Sequence, residues 1–144
     1  METGVATARL DDGSPERFVA LRRALGVTSF GLNQMLLRPG QRGRIHRHEH
    51  QEEVYVVLSG VLTMEFEDGE RDLEAGELMR VAPEVRRRVM NRGPAVCSVL
   101  AIGGAAEHKG RDGLSYVEWA DSEPRPPQEV PLPEDLPQSE LRGA

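Results

Sequence analysis

Three of the four histidines in this chain crowd together at His46, His48 and His50, and Glu53 follows directly after them. Residues two apart on a β-strand point to the same side, so His46 and His48 would present adjacent imidazoles to one face. Neutral imidazole nitrogen coordinates transition metals. A carboxylate from a neighbouring strand, here Glu53, would complete a facial set of two histidines and one carboxylate, with positions left open for water or substrate. His50 shares the parity of His46 and His48, but a turn must intervene before Glu53, which places it at the mouth of a site as a supporting or proton-transfer candidate. The fourth histidine, His108, lies in the polar stretch Glu107-His108-Lys109-Gly110 and reads as an exposed surface residue.

Positioning such a cluster calls for strands, and strands dominate the middle of the chain. Val61 to Phe66 alternates Leu62, Met64 and Phe66 with Thr63 and Glu65, the period of a half-buried strand, and Asp68-Gly69 supplies a hairpin turn after it. Further strands are expected at 28–38, 44–48, 53–58, 71–74, 78–82, 86–91 and 97–102, each bounded by Gly, Pro, Asp or Asn. This is an all-β pattern of sandwich or barrel type, without internal repeats. Ser14-Pro15-Glu16 resembles a helix start, so residues 16–24 are expected as a short helix or an edge strand.

Composition narrows the function classes. A formal charge of −6 repels a phosphate backbone and argues against nucleic-acid binding, so Arg42, Arg44 and Arg47 are read as a solvated rim. Cys97 is the sole cysteine, which rules out an intrachain disulfide. No apolar run is long enough to cross a bilayer and the first dozen residues lack a secretory pattern, so a soluble, cytoplasmic protein is expected. From Glu123 onward prolines alternate with acids, and Val130, Leu132 and Leu136 are spaced to lay an extended strap on the barrel or on a second subunit. The expected division is a flexible N-terminus at 1–15, a barrel at 16–120 and a Pro-rich acidic tail at 121–144.

Gly40, five residues, His46-Arg47-His48, four residues, Glu53, six residues and Gly60 together resemble the first motif of the cupin family, and Pro39-Gly40 and Glu52 to Gly60 resemble its small single-domain members. The resemblance covers roughly residues 28–103. It implies a double-stranded β-helix, or jelly-roll, barrel in which His46, His48 and Glu53 bind a divalent transition metal: iron, manganese, nickel, copper or zinc. It also implies a homodimer. Gly76, Pro83 and Asn91 fit the second cupin motif, but Glu84 replaces a usual glycine, and Arg87 stands where the family has its third metal-binding histidine.

A guanidinium stays protonated and cannot ligate a metal. Three roles for Arg87 are therefore open: orienting an acidic substrate beside a retained metal, pairing with Glu53 in a metal-free pocket, or turning outward while His50 or another group supplies a ligand. Strand alternation separates Arg87 from Arg86 and Arg88, so one face must take arginine inward or at the rim. Arg87, His50 and Tyr55 are the catalytic candidates. Tyr55, Val57, Leu62, Met64 and Phe66 are expected to line the interior, chiefly as core. By resemblance the chain is a metal-dependent dioxygenase, isomerase or lyase acting on a small acidic or polar molecule, a non-catalytic cupin that binds a sugar or anion with or without metal, or a structural dimeric barrel whose site has decayed.

Overall fold

In the computed structural model, which describes residues 4–105 and 112–143, the alternating runs become strands β1 (Phe18–Val19), β2 (Gly31–Leu37), β3 (Ile45–His48), β4 (Glu52–Ser59), β5 (Val61–Phe66), β6 (Gly69–Glu74), β7 (Leu78–Val81), β8 (Arg88–Met90), β9 (Cys97–Gly104) and β10 (Gly113–Tyr116). One short helix, α1 (Leu21–Leu25), lies between β1 and β2. A five-stranded sheet has the order β1-β2-β9-β4-β7. Facing it, the sheet β6-β5-β8 is joined to the pair β10-β3 by backbone bridges between His46 and Arg87 and between Arg42 and Met90. The second layer thus runs β6-β5-β8-β3-β10, and all its pairings are antiparallel. This is the expected jelly-roll barrel. Met35, Leu37, Tyr55, Val57, Leu62, Met64 and Val99 fill the space between the layers. Among the described residues no helix is long and apolar enough to cross a membrane.

Local chemistry explains the motif residues that carry no site function. Gly60 turns the chain between β4 and β5 at φ +76°, and a Cβ there would meet the Val96 carbonyl oxygen at 2.8 Å. No side chain fits that crossing. Asn91, fully buried, donates to the carbonyls of Leu37 and Ala95 and accepts from the Gly93 amide, each at 2.8 Å, tying β2 to the loop after β8.

Several expectations are corrected in detail. The hairpin between β5 and β6 turns on Glu67-Asp68, one residue before the expected position, because Gly69 already pairs with Phe66. Ser14 does not start a helix; its hydroxyl accepts from the Glu16 amide in a local turn. Residues 16–24 hold both alternatives in succession, since β1 pairs with β2 before α1 begins. The face of β5 carrying Thr63 and Glu65 is covered rather than free. Thr63 donates to Asp72 at 2.7 Å, and Glu65 accepts from Arg88 at 2.7 Å and from the Trp119 indole at 3.0 Å. Strand β10 was not expected, because Gly-Leu-Ser-Tyr is too short and polar to show a period.

Segments before and after the strands also lie against the barrel. Buried Gln34 accepts from the Asp11 amide and donates to the Asp12 carboxylate, each at 2.8 Å. In the tail Val130 is buried, and Leu136 donates its amide to the Gly40 carbonyl at 2.8 Å. Arg42 and Arg44 donate to the carbonyls of Glu134 and Val130 at 3.0 and 2.6 Å, and Arg47 donates to the Tyr116 hydroxyl at 2.8 Å. The three arginines thus fasten the segments that cross them, which corrects their reading as a solvated rim.

Replacing Asn91 by Ala strips the donor from the buried Leu37 carbonyl and from the Ala95 carbonyl, and is expected to cost about 1–3 kcal/mol. Urea unfolding followed by the fluorescence of Trp119, with an unchanged far-UV spectrum in the folded state, checks this.

Candidate metal and ligand site

The His46–Arg87 pair fixes the geometry of the site. The two residues exchange backbone hydrogen bonds at 2.9 Å in each direction, and directly opposed residues of an antiparallel pair share a face. Because His46 faces inward, Arg87 must do so too. Its side chain is 0% exposed, which excludes the outward, solvated role. Arg86 and Arg88 take the other face, where Arg86 lies 3.7 Å over the Tyr116 ring and Arg88 pairs with Glu65.

Glu53 reaches the same point from β4 in the opposite layer. Its Oε1 accepts from Arg87 Nη2 and from the Tyr55 hydroxyl, both at 2.6 Å. His46 Nε2 and His48 Nε2 stand 3.4 and 3.2 Å from that same oxygen. Burial alone would push the Glu53 carboxyl up. The close approach of His46 and His48, together with the charges of His46 and Arg87, outweighs it and holds the group well below the ordinary carboxylate range. Burial and the neighbouring Glu53 charge push the Tyr55 phenol up, so Tyr55 serves as a hydrogen-bond donor and not as a base.

Arg87 is also anchored by the Val85 carbonyl at 2.7 Å, and it does not border the cavity. Its pairing is with Glu53. It stands behind the carboxylate as seen from the cavity, held between Glu53 and the Val85 carbonyl.

The cavity in front of the cluster has a volume of about 210 Å³ and is bordered by His46, His48, Glu53 and Tyr55, with Met35, Leu37 and Val89 as apolar wall. A larger hollow of about 830 Å³ lies elsewhere, among Phe66, Arg71, Arg80 and Glu84. The histidines and Glu53 border the smaller one.

The donor set fits a metal. Two atoms each roughly 2.1 Å from one ion, at tetrahedral or octahedral angles, lie about 3.0–3.4 Å apart, the range seen between the imidazole nitrogens and Glu53. Both ring nitrogens of His48 are buried without a hydrogen-bond partner, although hydrogen bonding is the rule for buried polar atoms. A coordination bond would satisfy Nε2.

His50 sits apart from this set, 57% exposed, with Nδ1 at 3.1 Å from Asp112. Asp112 is the residue that sequence reasoning missed. It accepts the backbone amides of His50 and Gln51 at 2.7 Å each and stands 3.9 Å from His48 Nδ1. Burial would raise its carboxyl, but those two amides and the histidines lower it. Glu49, His50 and Asp112 form a second group of closely spaced ligand atoms, with Glu49 and His50 exposed. No pattern around Asp112 distinguishes it from an ordinary loop acid. His108 lies outside the described residues.

Removing one member of a buried ion pair leaves the other uncompensated, so Arg87→Met is expected to destabilise the fold by about 3–5 kcal/mol. Because the Glu53 carboxyl is lowered in the folded state, its contribution is complete above its unfolded pKa of about 4.3 and is lost as pH falls through the folded value. Unfolding free energies measured between neutral and strongly acidic pH should therefore fall more steeply for the unmodified protein than for Glu53→Gln.

Known proteins share this architecture. The Cupin domain family matches residues 33–103. Protein SchB of Streptomyces halstedii is 26% identical over 119 residues, covering 82% of this chain and 84% of SchB. The crystal structure of a cupin protein from Bacteroides fragilis superposes with a TM-score of 0.63 at 22% identity, covering 76% of this chain and 92% of that one. A sugar phosphate isomerase of the cupin superfamily from Silicibacter pomeroyi gives 0.59 at 20% identity, with 89% and 92% covered. Likeness at such identities speaks for the fold alone. With the motif from Gly40 to Gly60, the jelly-roll barrel and the matched family in agreement, residues 33–103 of this chain form a cupin domain.

Proposed function

We propose that this chain is a metal-dependent cupin in which His46, His48 and Glu53 hold a divalent transition metal at the floor of the cavity and a small polar molecule binds above it. The observation that carries this reading is the convergence of both Nε2 atoms on Glu53 at 3.4 and 3.2 Å, with His48 otherwise unsatisfied. A bound metal would supply Lewis acidity toward a ligand oxygen, which serves an isomerase, a lyase or a dioxygenase. The protein's own share is orientation. Arg87 and Tyr55 fix the carboxylate, and the apolar wall restricts water.

A second reading rests on a different contact. Arg87 at 2.6 Å already matches the charge of Glu53, so the set offers a divalent ion two imidazoles and a carboxylate whose charge is already answered. On that reading the barrel binds its ligand without metal and without turnover.

Elemental analysis of protein purified without a histidine tag, then stripped and reloaded, separates the two. About one metal ion per chain, lost in His46→Ala and held more tightly in Arg87→His, is the result expected of a three-ligand site. Absence of metal under every loading condition would overturn the metal reading and leave the binding module. The chain is further read as a cytoplasmic homodimer, and light scattering at the mass of two chains checks the dimer.

A further inference from the structure

Two guanidinium groups besides Arg87 approach the site, and both border the cavity. Arg44 precedes β3 and has the parity of His46 and His48, which turns it to their face. Arg17 precedes β1 at the edge of the opposite layer, where its carbonyl accepts from the Leu36 amide at 2.7 Å. Each is braced by the backbone of another segment: Arg17 Nη1 donates to the Arg42 carbonyl at 2.9 Å, and Arg44 Nε donates to the Val130 carbonyl at 2.6 Å. These anchors consume one donor of five on each side chain.

Among the described residues neither group has a carboxylate within ion-pair distance. The charges facing Arg17 are Asp135, which steadies its protonated form, and Arg44 and Arg38, which oppose it. Burial, the largest influence, also favours loss of its proton, and the net direction is downward. Two half-buried cations are thus drawn together beside an apolar wall with less negative charge than they need. Such an arrangement is unfavourable unless an anion completes it.

We infer that Arg17 and Arg44 form the seat for an anionic group, a carboxylate or a phosphate, on a compact ligand whose other end reaches His46, His48 and Glu53. Paired guanidinium groups suit both anions, because their planar donors match oxyanion geometry. The cavity of about 210 Å³ falls below the size of drug-like sites and selects a small molecule. Leu132 and Pro127 of the tail also border the opening, so the segment that braces Arg44 contributes to the seat. This inference rests on the cavity being the ligand site, as proposed above, and not on the metal.

The test uses the full chain stripped of metal, titrated calorimetrically with inorganic phosphate in one arm and malonate in the other. Binding in at least one arm is expected, weakening as sodium chloride is added and about tenfold weaker in Arg17→Gln or Arg44→Gln, the loss of roughly one charge-assisted hydrogen bond. The stronger arm identifies the anion. Arg17→Lys and Arg44→Lys keep the charge and should retain part of the affinity. A variant-free readout guards against misfolding: in the unmodified protein the arginine Nε–H resonances of Arg17 and Arg44 should shift on titration.

Failure to bind either anion, or binding that leaves those two resonances and the Gln variants unaffected, overturns the proposal. Binding that appears only after metal loading, and is indifferent to both arginines, overturns it too while the metal reading stands. Arginine-dependent binding in a protein that takes up no metal supports the seat and removes the metal reading instead.

Discussion

Arg87 brings a permanent positive charge into the interior of a barrel, and the rest of the site is arranged around that fact. Removing a guanidinium and a carboxylate from water costs several kcal/mol per ion, recovered only where geometry is good and the remaining donors find acceptors. Here Glu53 and Tyr55 answer from β4, and the Val85 carbonyl answers from the loop before β8. The contact spans the two layers. It therefore sets the position of the Glu53 carboxylate against the two histidines before any ligand arrives, which is the preorganisation a binding or catalytic centre requires.

The direction of Arg87 follows from register rather than from its own preference. A one-residue slip between β3 and β8 would reverse every side chain on one strand, sending Arg87 to the outer face and Arg86 or Arg88 into the core. The outer partners oppose such a slip: Arg88 is held by Glu65, and Arg86 by Tyr116 and the carbonyls of Trp119 and Asp121. Three consecutive arginines thus have three distinct environments, and the outer two help to fix the inner one. Strand β10 and the segment after it carry the aromatic and carbonyl groups that Arg86 uses, so they take part in defining the site from outside the barrel.

The barrel and the cluster were legible because both rest on short-range regularities. Period-two alternation in Val61 to Phe66 gave the strand, and the spacing from Gly40 to Gly60 gave the family and, by parity, the shared face of His46 and His48. What escaped depended on distant partners. Asp112 lies far along the chain from the His50 and Gln51 amides it binds, and Arg17 is brought to the cavity only because β1 docks on β2. Arg44 was readable in principle, since it shares the parity of His46, but a charged residue beside Arg42 and Arg47 looked like surface. The covered face of β5 was hidden for a related reason, because nothing in Thr63 or Glu65 announces Asp72 and Trp119 as their partners.

Charge accounting links the inner and outer arginines. Had Arg87 been free, it would have been the natural partner for an acidic ligand, and Glu53 would have carried an unmatched negative charge facing that ligand. Pairing them removes both features at once: the floor becomes nearly neutral, and repulsion of an incoming anion by Glu53 is diminished. Net attraction for an anion must then come from elsewhere. On the proposed reading Arg17 and Arg44, without carboxylate partners among the described residues, supply it from the wall of the cavity they share with the histidines. On the proposed reading, the arginine that replaced a histidine serves recognition indirectly, by cancelling a charge that would have opposed it.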